Sequence, residues 1–192
     1  MCYEPYALLT REKIKHAFDF YVQSGLIQGA TSASFEAAAN KALAEKYCLL
    51  DINYFLQMFG PSVFYFSEDY GIAFTQRETS YSHVFEQLVS DLATFTAYRF
   101  CPEPLSIKVD EERNGTISFV QKGLLFERAL FTGAHYLANL LTLLNEAIVA
   151  HGGDAVSLYV LCFSDAEQEA FVLLSKAQRQ QAKKEGLLTF NF

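Results

Sequence analysis

Apolar positions recur with helical spacing through the first third of the chain and with strand spacing beyond it. After Thr10, which can cap a helix, Ile14, Ala17, Phe18, Tyr21 and Val22 fall at i, i+3, i+4, i+7 and i+8, and Gly25 supplies a stop. Ser34 can cap a second helix in which Phe35, Ala38, Ala39, Ala42 and Leu43 repeat the stripe. A short third helix is expected from Asp51, carrying Ile52, Phe55, Leu56 and Phe59 up to Gly60-Pro61. Val63 to Phe66 and Ile72 to Thr75 then flank Glu68-Asp69-Tyr70-Gly71 as a hairpin. Thr79 or Ser80 opens a further amphipathic helix with Phe85, Leu88, Val89, Leu92 and Phe95 on one face, and the prolines of Cys101-Pro102-Glu103-Pro104 end it.

Between 105 and 163 the pattern is densest. Leu105, Ile107 and Val109 alternate with polar neighbours, Asn114-Gly115 offers two positive-φ positions for a tight turn, and Ile117 and Phe119 resume the alternation. The run LLFERALF leads to a helix from about Gly133 to His151, closed by Gly152-Gly153, and then to the apolar strand SLYVLCF. Ser164-Asp165-Ala166-Glu167 reads as a capping box for a last helix with Ala166, Ala170, Leu173, Leu174 and Ala177 inward, and LLTFNF reads as a closing strand. The expected fold is a single α+β domain. Its helical part covers 1–60, packed with an antiparallel or mixed sheet, and an αβ part covers 61–192.

Composition narrows the partners. The 192 residues carry a net charge of -7 and a pI near 5.1, which repel a phosphate backbone, so no direct nucleic-acid contact is expected. The basic stretch from Lys176 to Lys184 is accounted for as a helix end whose cations offset the dipole. Cys2, Cys48, Cys101 and Cys162 stand singly, no signal-peptide pattern follows Met1, and no long apolar run occurs, so the expectation is a reduced, cytoplasmic protein outside the membrane. Asn114-Gly115-Thr116 matches a glycosylation acceptor, but the turn already explains it. With 18 Phe, 11 Tyr and no Trp, the core and any pocket wall should be rich in flat rings.

Catalytic signatures are missing. Phosphate-binding glycine loops, the GxSxG elbow and paired-histidine zinc motifs do not occur, and neither a metal nor a cofactor is expected. The best nucleophilic constellation, Cys162 with His135 and Asp165, is outweighed by the tendency of cysteine to be buried. Arg128 is the more informative residue, because strand alternation points it and Glu127 to opposite faces and one of the two charges must face the core side. Either an internal ion pair or a ligand carboxylate would satisfy it. Arg99, between Tyr98 and Phe100, poses the same question, while Asp110, Glu111 and Glu112 read as a solvated hairpin tip.

From SHVFEQLVSDLATFT through LSIKVDEERNGTISFV and GAHYLANLLTLLNEAI to SLYVLCF, SDAEQEAF and LLTFNF, the order of elements resembles the N-terminal, arabinose-binding-like sensing domain of one branch of AraC-type transcription regulators. The resemblance covers about residues 80–192. Its first part also looks like haem-nitric-oxide sensor domains, but the tyrosine, serine and arginine haem signature is not found near FVQKGLLFER. The chain ends at Phe192 without a helix-turn-helix, and LSKAQRQQAKKEG looks like continuous helix where the AraC family would place a strand.

What the resemblance implies is a non-enzymatic regulatory domain that binds a small apolar or amphipathic effector and signals to a protein partner or through a homodimer. Arg128, His135, Arg99, Tyr136 and Tyr159 are the candidate ligand contacts. An acidic partner-binding protein, such as a toxin-immunity protein, is the alternative that the charge supports.

Overall fold

A computed structural model of the chain describes residues 6–60, 62–66, 82–103, 106–109, 115–130, 136–150, 156–163 and 169–191, and only the backbone at 82–86, 106–109, 115, 130, 136 and 137. The fold is α+β, with helices and two small antiparallel sheets. By its contacts the chain falls into two compact units, one within Met1–Tyr65 and Tyr159–Phe192 and the other within Phe66–Leu158.

The first unit begins with α1 (Arg11–Gln23), where the Thr10 side chain accepts from the Lys13 amide at 3.2 Å. Ile14, Ala17, Phe18 and Tyr21 are buried as the spacing predicts, but the stripe leans towards Phe20, and Val22 on the opposite flank is exposed. Gly25, at φ 77, ends the helix, and the Leu26 amide reaches back to the Tyr21 carbonyl at 2.9 Å. In α2 (Ser32–Ala44) the cap is Thr31 rather than Ser34: the two residues exchange side-chain-to-amide bonds of 3.1 and 2.9 Å, so Ser34 is the third helical residue of a capping box. A 3-10 turn (Leu49–Asp51) and α3 (Ile52–Gln57) follow, with Ile52, Phe55 and Leu56 fully buried.

Strands β1 (Phe64–Phe66), β5 (Val156–Leu161) and β6 (Glu169–Ser175) form a three-stranded sheet in the order β1-β6-β5. The companion strand expected at 72–75 lies outside the described residues. Strand β6 corrects the long last helix. The positions 170, 173 and 174 suit a helix, yet Phe171 and Val172, which a helical stripe would leave in solvent, are buried together with Ala170 and Leu174. Among the described residues of that stretch, helix is confined to α6 (Lys176–Glu185), capped by Ser175 and Gln178 and closed by Gly186 in the left-handed region at φ 58. The expected final strand is reduced to one antiparallel bridge between Leu161 and Phe190. The core packs Phe18, Tyr21, Phe55 and the small face of α2 against Leu161, Ala170, Val172 and Leu174.

The second unit contains α4 (Ser82–Phe95), β2 (Ser106–Val109), β3 (Gly115–Gln121), β4 (Leu124–Leu130) and α5 (Tyr136–Ala150), with sheet order β2-β3-β4. Gly115 pairs with Val109 and with Leu130, so it is the first residue of β3, not part of a two-residue turn. The tight hairpin lies one strand later, where Gln121 pairs with Leu124 across Lys122 (φ 52) and Gly123 (φ 75). Two successive positive-φ residues give the turn twist that matches the strands.

Candidate functional site

The register of β3 and β4 sets three pairs on one face: Ile117 opposite Arg128, Phe119 opposite Phe126, and Gln121 opposite Leu124. On the other face of β4, Leu125, Glu127 and Ala129 are exposed. The register decides between the two charges. Glu127 is solvated and Arg128 turns inward, where its Nη2 donates to Glu146 Oε1 of α5 at 2.6 Å. The side chains of Arg128 and Glu146 remain 34% and 49% exposed, and Arg128 Nε is buried with no hydrogen-bond partner among the described residues. One fork of the guanidinium is thus neutralised and the inner donor is unused.

Beside Arg128 the face is apolar. Phe126 is half-buried and stacks on buried Phe119 at 5.4 Å and 21°, Phe119 meets Phe100 edge-on at 5.4 Å, and Leu124 at the turn is 54% exposed. Leu124, Phe126 and Arg128 form a rail along β4 that ends in a cation.

At the far end of this face Gln121 is 2% exposed and fully used: Nε2 donates to Ala147 O at 2.8 Å and to Arg99 O at 3.1 Å, and Oε1 accepts from Cys101 N at 2.9 Å. The segment it holds leaves α4 through Ala97 and Tyr98, both in the left-handed region at φ 50 and 60, with Tyr98 N bonded to Ala93 O at 2.6 Å. Buried Thr96 completes the knot, its Oγ1 donating to Leu92 O at 2.7 Å and accepting from Phe100 N at 3.0 Å. Arg99 Nη1 lies 3.5 Å from Thr96 O. Because Ile117 and Gln121 are four residues apart on an extended strand, the Arg128 and Gln121 ends of the face are separated by roughly 14 Å. Arg128 and Arg99 are not brought to one point.

Tyr159 belongs to the first unit, half-buried beside Phe190 at 6.3 Å, with the Arg179 guanidinium 4.7 Å from the Tyr159 ring centre and 5.5 Å from that of Phe190. His135 lies outside the described residues, as does the side chain of Tyr136. Of the nucleophilic constellation, Cys162 is half-buried and its backbone is engaged by Asn53 and Thr189, while His135 and Asp165 are outside the described residues. Among the described residues no group of His, Cys, Asp or Glu is placed to hold a metal ion, and no helix is long and apolar enough to cross a membrane.

Sequence reasoning missed Glu146, Gln121 and Arg179. Glu146 lies eighteen residues from Arg128 on a different kind of element, so no local spacing signals the pair. No protein-family model, curated protein or solved structure matches the chain.

Proposed function

We propose that this chain is a non-catalytic, cytoplasmic regulatory domain, of the kind its resemblance to AraC-type sensing domains implies, and that it binds a small amphipathic effector along β4. The observation that carries this reading is the rail itself: exposed Leu124 and half-buried Phe126 lead to a guanidinium with one committed fork and one unused inner donor. A ligand with an apolar body and an anionic head matches that order of chemistry. The head would compete with or bridge to Glu146, and the body would cover Leu124 and Phe126. Removal of Glu146 from Arg128 is then the change that effector binding passes to α5, and from there to a protein partner or a second copy.

Native mass spectrometry of the purified chain, before and after addition of decanoate, tests the reading. One bound amphipathic molecule is expected on the wild type and none on Arg128→Ala, while the melting temperature stays within a few degrees, because an ion pair this exposed contributes only about 0–1 kcal/mol. Unfolding of Arg128→Ala, or equal retention of decanoate by both proteins, would reject it.

A further inference from the structure

Among the described residues of the second unit, the large apolar side chains that stand more than half exposed are Tyr98 at 62%, Leu124 at 54%, Leu125 at 68% and Val149 at 55%. One buried carboxamide gathers the backbone that carries them. Gln121 pairs with Leu124 across the β3-β4 turn, and its side chain bonds the carbonyl of Arg99, next to Tyr98, and that of Ala147, two residues before Val149. Val120, beside Gln121, pairs with Leu125. A helix exit, a hairpin end and the last turn of α5 thus bring their exposed apolar residues to the same end of the unit. A cluster of this kind, left in water, is a surface that another molecule covers. Leu124 also belongs to the β4 rail, whereas Tyr98, Leu125 and Val149 do not.

Tyr98 is held outward against its own backbone preference. It lies in the left-handed region at φ 60, directly after Ala97 at φ 50, a conformation that a side chain as bulky as tyrosine rarely adopts. Three contacts fix it there. Tyr98 N donates to Ala93 O at 2.6 Å, Thr96 Oγ1 accepts from Phe100 N at 3.0 Å, and Gln121 clamps Arg99 O and Cys101 N. Glycine would meet that backbone without strain. Tyrosine in its place presents a pre-set ring of the residue type that is enriched among binding hot spots.

Charge selects the occupant. Glu103 N donates to Val120 O at 2.8 Å, and Glu127 lies two residues beyond Leu125 on the same face of β4, so two exposed acidic residues flank Leu125, with Lys122 at the turn. Across Phe66–Leu158 the sequence holds twelve Asp and Glu against six Lys and Arg. A second copy would bring the same negative field against itself, whereas a basic partner is steered towards it. We infer that this end of the second unit docks an amphipathic helix of a basic partner protein. Its apolar face covers Tyr98, Leu124, Leu125 and Val149, and its Lys or Arg side chains meet Glu103 and Glu127.

Fluorescence anisotropy of the full chain with a labelled amphipathic peptide of Leu and Lys, about 14 residues or four helical turns long, and with its Leu and Glu counterpart reads the proposal. Saturable binding of the Leu and Lys peptide is expected, at least about 10-fold tighter than the counterpart, and weakened about 10-fold or more by Tyr98→Gly and by Leu125→Ser. Tyr98→Gly suits the left-handed backbone, so its melting temperature should stay within a few degrees of the wild type, and if that variant does not fold, the surface change Leu125→Ser decides alone. Equal binding of the two peptides, no saturable binding, or binding indifferent to these substitutions overturns the inference. So does a dimer in sedimentation that Leu125→Ser dissociates, which would assign the surface to a second copy.

Discussion

Asn53 and Thr189 pair reciprocally: Asn53 Oδ1 accepts from Thr189 N at 3.1 Å and Asn53 Nδ2 donates to Thr189 O at 2.8 Å. The side-chain amide thus stands in for a strand peptide. Nδ2 also lies 2.6 Å from Cys162 O, and Cys162 N donates to Thr189 O at 3.0 Å, so one buried carboxamide joins α3 to the end of β5 and to the C-terminal segment.

Replacing Asn53 with Leu would leave the Thr189 amide without its partner in a site where Asn53 is 0% exposed, while the Cys162 carbonyl keeps only the Thr189 hydroxyl, at 3.1 Å. A buried group left unsatisfied costs about 1–3 kcal/mol, so a loss of about 1–3 kcal/mol in urea unfolding is expected for Asn53→Leu. A loss below about 1 kcal/mol would mean that water replaces the amide.

Residues such as Asn53 mark the limit of what periodicity reveals. The spacing of Ile52, Phe55 and Leu56 identifies the helix and its buried side, but nothing local says that the polar residue beside Ile52 is also buried, because its partners lie 109 and 136 residues away. Arg128 was the easier case, since alternation alone forces either it or Glu127 inward, and the strand carries Arg128 to the helix side. The Lys122-Gly123 turn was available too: a lysine before glycine adopts the same two positive φ values as asparagine before glycine, only at greater cost. Strand β6 was ambiguous in principle, because an apolar run of that length suits a buried strand and one face of a helix equally well. Burial on both faces decides it, and burial is a tertiary property.

Gln121 provides the corresponding test in the second unit. Gln121→Leu keeps the volume but abandons Ala147 O, Arg99 O and Cys101 N, so a destabilisation of about 2–3 kcal/mol is expected. The local consequence is more specific. Residues 99–101 lose their tether to β3, so the Cys101 amide should exchange with deuterium much faster while amides of α1 and α2 in the other unit keep their rates. Uniformly faster exchange would show that the glutamine supports the fold as a whole rather than this segment.

Alkaline stability should be governed by tyrosines. Burial raises the Tyr21 phenol well above its ordinary range, Tyr65 is raised by burial with partial relief from a Gln57 hydrogen bond, and Tyr47 is pushed up to about 12 by burial and then by Glu45 and Asp51. An unfolded chain releases these protons near pH 10, whereas the folded chain holds them longer. Stability from these groups is therefore complete below about pH 10 and is lost as pH rises from 10 through the folded values. Lys13 works in the other direction: burial lowers its pKa, partly offset by Glu185, so its partly buried ammonium is a cost at neutral pH that is relieved as pH climbs towards 10.5. One lysine opposes three tyrosines, and the net expectation is a urea midpoint that falls between about pH 10 and 12 in step with tyrosinate absorbance near 295 nm. Tyr47→Phe keeps the ring but has no proton to release, so its midpoint should fall less steeply over the same interval. An identical slope in wild type and Tyr47→Phe would show that Tyr47 ionises as freely in the folded protein as in the unfolded one, and that Glu45 does not hold its hydroxyl.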